Sequence, residues 1–237
     1  MRNHKKRNQA YLIAIGIVTL LLLSMLSFSM GWFSNQTVER TEIKEKRGFQ
    51  LPDGSFIELN ADSRVSFNEA TFPEKKIIEL EGEAFFVVKR GQPFLVKTDY
   101  GYVRSSGTQF GVYARPDGFD ATCYLGKVEV IKTEETLVLG INEQAFWKDG
   151  QFNKQANYRE RPDWIDGESV FNEAPFLQAI GELERQYGLK VVLDITGNPP
   201  FTGGIPHNEI QTAVDNLVEP YGYRYHQEGN TLRIWEP

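Results

Sequence analysis

The chain has 237 residues, with 26 Lys+Arg, 32 Asp+Glu and one cysteine. Apart from Arg2, Lys5, Lys6 and Arg7, 22 basic side chains face 32 acidic ones, a formal charge of −10 that argues against a nucleic-acid surface and against adhesion to an anionic membrane. Cys123 alone makes neither an intrachain disulfide nor a thiolate metal cluster, and between Ala121 and Leu125 it reads as core filling.

Residues 1–10 form a basic stub that is too small to fold and is expected to be a disordered topogenic tail. Residues 11–33 carry no charge and at helical rise would span roughly 35 Å, against a hydrocarbon core of about 30 Å. Tyr11 and Trp32 suit the two headgroup zones, and the basic stub should hold the N-terminus in the cytoplasm. The pattern therefore predicts a single-pass transmembrane helix over 11–33. The rival is a signal peptide cleaved at Ser27-Phe28-Ser29, but such apolar cores usually run only about 7–15 residues.

Residues 34–48, with Glu39, Arg40, Glu42, Lys44 and Glu45, read as a spacer. An all-β domain is predicted over 49–147. Leu51-Pro52-Asp53-Gly54-Ser55 reads as a tight turn between two strands. Short apolar runs follow at Val65, Ile77, Ala84, Phe94, Phe110 and Val128, and none keeps a helical period for three turns. Gly126-Lys127 reads as a hairpin turn. Residues 148–163 are polar and read as a linker.

Over 164–237 the period changes. Phe176, Ala179, Ile180, Leu183 and Tyr187 share one helical face, with Pro175 at the first turn and Gly188 as the stop. Leu189–Leu193 and Phe201–Ile205 read as strands. A second helix carries Ile210, Ala213, Val214, Leu217 and Val218, with Asn208 as its N-cap and Gln211 reaching back. Strands at Tyr223–Tyr225 and Thr231–Trp235 complete a small α/β domain of two strand–helix–strand units.

No G-x-S-x-G, G-x-x-x-x-G-K-[ST] or H-E-x-x-H pattern occurs, so no catalytic, cofactor-binding or metal residue is assigned, and the chain reads as no enzyme. His207 and His226 have no neighbouring Cys or His and read as surface or partner contacts. Glu81 and Glu83, flanking Gly82, read as a solvated face, and Gly203-Gly204 as a bulge or close backbone approach.

Five fragments in order resemble the periplasmic domain of the FecR family. They are Leu51-Pro52-Asp53-Gly54-Ser55 with Glu58-Leu59-Asn60-Ala61, Leu80–Val88, Pro93–Thr98, Gly107–Val112 and Leu125–Val130. Trp164, Gly167, Phe171, Pro175 and Glu182–Gly188 are similar to the short N-terminal module of secretins and TonB-dependent receptors. The resemblance implies an inner-membrane sensor with its C-terminal domains in the periplasm. It further implies binding to the signalling domain of a TonB-dependent outer-membrane transducer and a relay to an extracytoplasmic-function sigma factor, as in regulated iron uptake. The family's usual cytoplasmic anti-sigma domain has no counterpart in residues 1–10, so this polypeptide alone is not expected to sequester a sigma factor. The alternative reading is a membrane-anchored periplasmic ligand- or glycan-binding protein, suggested by an aromatic content of 13%.

Overall fold

A computed structural model describes residues 15–26, 36–148 and 150–237. Residues 15–26 are helical (α1), and their large apolar side chains are more than half exposed, up to 73% at Met25. Thr19 Oγ1 donates to the Gly16 carbonyl at 2.9 Å and Ser24 Oγ to the Leu21 carbonyl at 2.8 Å, so both hydroxyls fold back on the helix that carries them. Among the described residues no helix is long and apolar enough to cross a membrane. The predicted span, 11–33, runs at both ends into residues outside those described.

Thirteen strands follow. They are β1 (Gln36–Thr41), β2 (Arg47–Gln50), β3 (Phe56–Leu59), β4 (Ser63–Asn68), β5 (Lys76–Val87), β6 (Phe94–Lys97) and β7 (Tyr102–Ser105). After them come β8 (Gln109–Arg115), β9 (Gly118–Leu125), β10 (Val128–Lys132), β11 (Glu135–Leu139), β12 (Glu143–Lys148) and β13 (Gln151–Ala156). They make one hydrogen-bonded sheet folded into two leaves that share β5. The first leaf runs β1-β4-β5-β6-β7-β10-β11 and the second β2-β3-β5-β8-β9-β12-β13. Residues 76–79 of β5 pair parallel with β6, and 82–87 pair antiparallel with β8.

Gly82 marks the passage between leaves. Its φ is +102°, and a Cβ there would lie 2.8 Å from Ser63 Cα, so no other residue fits without displacing β4. Phe72, Phe86, Phe94 and Phe110 are fully buried between the leaves, with Phe86 stacked on Phe110 at 5.0 Å and edge-on to Phe94 at 6.0 Å. Cys123 lies in this core.

The segments read as spacer and linker belong to this sheet. β1 pairs along its whole length with β4, and β13 with β12. Both lie at sheet edges, where charged and amide side chains are solvated and guard against further pairing. That is why their composition resembles loop. The turn at Gly126-Lys127 is no hairpin either, because β9 belongs to the second leaf and β10 to the first.

The C-terminal part comprises β14 (Glu168–Pro175), α2 (Phe176–Tyr187), β15 (Lys190–Asp194), β16 (Pro200–Pro206), α3 (Ile210–Val218), β17 (Arg224–Glu228) and β18 (Thr231–Trp235). β14 pairs antiparallel with β16, while β18 runs between β15, parallel, and β17, antiparallel. The predicted faces of both helices form the core: Phe176, Ala179, Ile180 and Leu183 meet Ala213, Val214, Leu217 and Val218. Gly188 ends α2 in the left-handed conformation at φ +65°. Asn208 is not the cap of α3. Glu209 stands at that position without a side-chain capping bond, and Gln211 donates to Asp215 at 3.0 Å instead.

Candidate functional site

α2 has two faces. One is the apolar stripe that fills its own core. The other carries Gln178, Glu182 and Gln186 at i, i+4, i+8, and all three are buried, because this stripe lies against the β domain.

Glu182, 2% exposed, is the hub. Its Oε1 accepts from Ser169 Oγ at 2.7 Å, Gln186 Nε2 at 2.9 Å and Asn60 Nδ2 at 3.3 Å. Its Oε2 accepts from Arg185 Nη2 at 3.1 Å and Nε at 3.2 Å. Burial alone would push this carboxyl up, but Arg185 and the hydrogen bonds from Ser169 and Gln186 outweigh it and hold Glu182 well below the carboxylate range.

Asn60 reaches across from the β domain. Its Nδ2 also donates to Glu83 Oε2 at 2.8 Å, and its Oδ1 accepts from Gln186 Nε2 at 2.8 Å. Glu83 is therefore no solvated acid. It is largely enclosed, and burial followed by the charge of Glu182 pushes it up to about 7. Glu81 does stay in solvent, paired with Arg64 at 2.8 Å. Arg115, buried beside them, donates to the carbonyls of Ala61 at 2.8 Å and Asp62 at 2.9 Å. The Arg115 and Arg185 guanidinium groups both lie about 6 Å from the centre of the Tyr113 ring, 5.7 and 6.0 Å.

A second thread crosses the junction. Lys46 Nζ lies 2.7 Å from His207 Nδ1, and His207 Nε2 lies 3.0 Å from Ser169 Oγ. An ammonium only donates, so Nδ1 accepts, Nε2 carries the proton and donates to Ser169, and Ser169 donates to Glu182. The imidazole is enclosed, and burial followed by the Lys46 charge lowers it to about 4. His207 is thus an interior bridge, contrary to the surface role expected of it, while His226 is exposed on β17.

The Ser169–His207 contact has the wrong polarity for nucleophilic catalysis. A general base needs an unprotonated nitrogen toward the hydroxyl and an acid behind the ring, whereas here Nε2–H points at Ser169 and a cation stands behind. Among the described residues no group of His, Cys, Asp or Glu is arranged to hold a metal ion. The arrangement is suited to holding two parts of the chain together by enclosed polar groups that bond one another, the Arg115 Nε–H being left without a partner among the described residues.

The reading from sequence missed Lys46, Arg115 and Ser169 altogether, and met Asn60 and Glu182 only inside the FecR-like and module fragments. The one available signal was the polar i, i+4, i+8 stripe of α2 on the side away from its apolar face.

Comparison with known proteins bears on this architecture. Residues 37–129 match the family model described as FecR protein, so that part of the chain is FecR-like. Two crystal structures of a protein from Parabacteroides distasonis, described as a "putative anti-sigma factor", superpose with TM-scores of 0.78 and 0.79 at 27% identity. Each alignment covers 85% of this chain and 99% of the other, a share too large for the β domain alone. A search of curated proteins gave no match.

Proposed function

We propose that this chain is a signal-transducing regulator of the FecR kind, relaying a signal toward an extracytoplasmic-function sigma factor. In this reading residues 11–33 anchor it in the inner membrane with the N-terminus in the cytoplasm. The β domain and the module of residues 164–237 stand in the periplasm, where the module binds the signalling domain of a TonB-dependent outer-membrane transducer.

The observation that carries the reading is the likeness, across both parts of the chain, to the protein described as a "putative anti-sigma factor". The junction supports it: the two parts meet through polar groups that satisfy one another, a contact that a partner competing for the same groups is able to replace. Among the described residues the three-stranded sheet of the module keeps an unpaired edge at β17 that suits pairing with a strand of another protein, whereas at the β15 edge the Val191 N–H already donates to Glu184 Oε1 at 2.7 Å.

The test is a pull-down with the transducer's signalling domain as bait. The full chain should be retained, and a chain ending at Asp163 should not. Equal retention of the two sinks the assignment of the module as the partner-binding part.

A further inference from the structure

Beside the buried junction, the outer face of the second leaf and the module bound an open cleft of about 900 Å³, within the range of about 300–1,000 Å³ usual for small-molecule sites. Two of the residues that line it carry polar groups with unmade hydrogen bonds. Trp164 is 4% exposed, and its indole N–H has no partner among the described residues. Asp120 receives a single long bond, from Gln178 Nε2 at 3.4 Å, although its carboxylate has room for several. Tyr124 and Phe171 add aromatic surface, and Gln155 adds an amide.

These features restrict what fits. An anion would meet Asp117, Asp120, Asp163 and Glu173 on the wall, where Arg185 is committed to Glu182, Arg159 to Asp163 at 3.3 Å, and Lys148 is an exposed side chain at the rim. A protonated amine would suit the carboxylates but offers nothing to the indole N–H, since an ammonium has no acceptor. A purely apolar molecule would leave both groups unpaired. Hydroxyl groups donate and accept at once, and the C–H faces of a sugar ring pack against aromatic rings.

We propose that this cleft binds a neutral polyhydroxylated ligand of the sugar class, with Asp120 accepting from its hydroxyls and Trp164 donating to them. Asp120 belongs to the β domain and Trp164 to the segment leading into the module, so the ligand bridges the two parts and stabilises the docked state by mass action. The proposal does not depend on the transducer reading.

The test follows the indole N–H signals of the full chain, labelled with 15N at tryptophan, on addition of glucose, galactose, mannose, N-acetylglucosamine, maltose, cellobiose or lactose. At least one sugar should shift, saturably, the resonance that a Trp164→Phe variant lacks. Asp120→Ala should weaken that binding at least tenfold. If that variant does not fold, Gln155→Ala, at the edge strand β13, should weaken it several-fold. No shift of the Trp164 signal with any of these sugars overturns the proposal. So does undiminished binding by the folded variant, or a shift produced by spermidine or inorganic phosphate in preference to every sugar.

Discussion

Glu83 and Glu182 share one amide: Asn60 Nδ2 stands 2.8 Å from the first carboxylate and 3.3 Å from the second. One acid belongs to the β domain and the other to α2, so the pair couples protonation to the junction. Glu182 is held ionised by Arg185, and Glu83 carries the compensating rise.

A pH dependence follows from Glu83. Its value rises from 4.5 to about 7 on folding, so the folded state binds the proton more tightly. The resulting stability is fully present below pH about 4.5 and is lost as pH rises through about 7. Glu83→Gln should leave the melting temperature at pH 5 nearly unchanged and raise it by a few degrees at pH 8.5. Parallel melting curves for the variant and the parent chain at both pH values would contradict this.

Glu182→Ala should be far more damaging. It removes the acceptor of both Arg185 bonds and leaves an enclosed guanidinium whose remaining hydrogen-bond acceptor among the described residues is the Tyr113 hydroxyl, 3.4 Å away. Breaking a buried pair from one side costs about 3–5 kcal/mol. Urea unfolding measures the loss, and limited proteolysis between residues 157 and 163 should accelerate as the module loosens. A loss under about 1 kcal/mol would mean that the hub is not structural.

Gly82→Ala tests the shared strand. The new Cβ would sit 2.5–2.8 Å from Ser63 atoms at a φ of +102°, and the cost should exceed about 1 kcal/mol. Gly197→Ala is the control, because its φ of +80° is also positive yet nothing lies within 4 Å. If the two variants lose equal stability, backbone conformation alone explains Gly82.

The proposed anchor is tested by Leu22→Arg, which places a charge at the middle of residues 11–33. Insertion scales put the penalty at about 2.5–3.5 kcal/mol relative to a neutral residue. Loss of the chain from the membrane fraction is expected. A mature protein beginning near Met30, found by N-terminal sequencing, would identify the segment as a signal peptide.

Much of the interior was legible from the sequence, because apolar period reports burial. The stripe Phe176, Ala179, Ile180, Leu183 predicted α2 and its inward face, and the turn at Pro52-Asp53-Gly54 joins β2 to β3 as expected. The edges were not legible. β1 and β13 bury little apolar surface, so Glu39, Arg40, Asn153 and Lys154 gave no period to read. The junction was hidden for another reason. Glu83 alternates with core residues as a solvent-facing acid would, and what covers it lies about a hundred residues further along the chain. Likewise, nothing local to His207 announces Lys46, which reaches it from the segment before β2.

β18 comes last in chain order yet lies in the middle of its sheet, between β15 and β17. A polypeptide delivered N-terminus first can close both leaves of the β domain long before that strand arrives. The module then waits with α2 made but its sheet open, and residue 235 completes it. Assembly of the junction is thereby held back until β18 has been made, and a cut within residues 231–235 removes the keystone of the module.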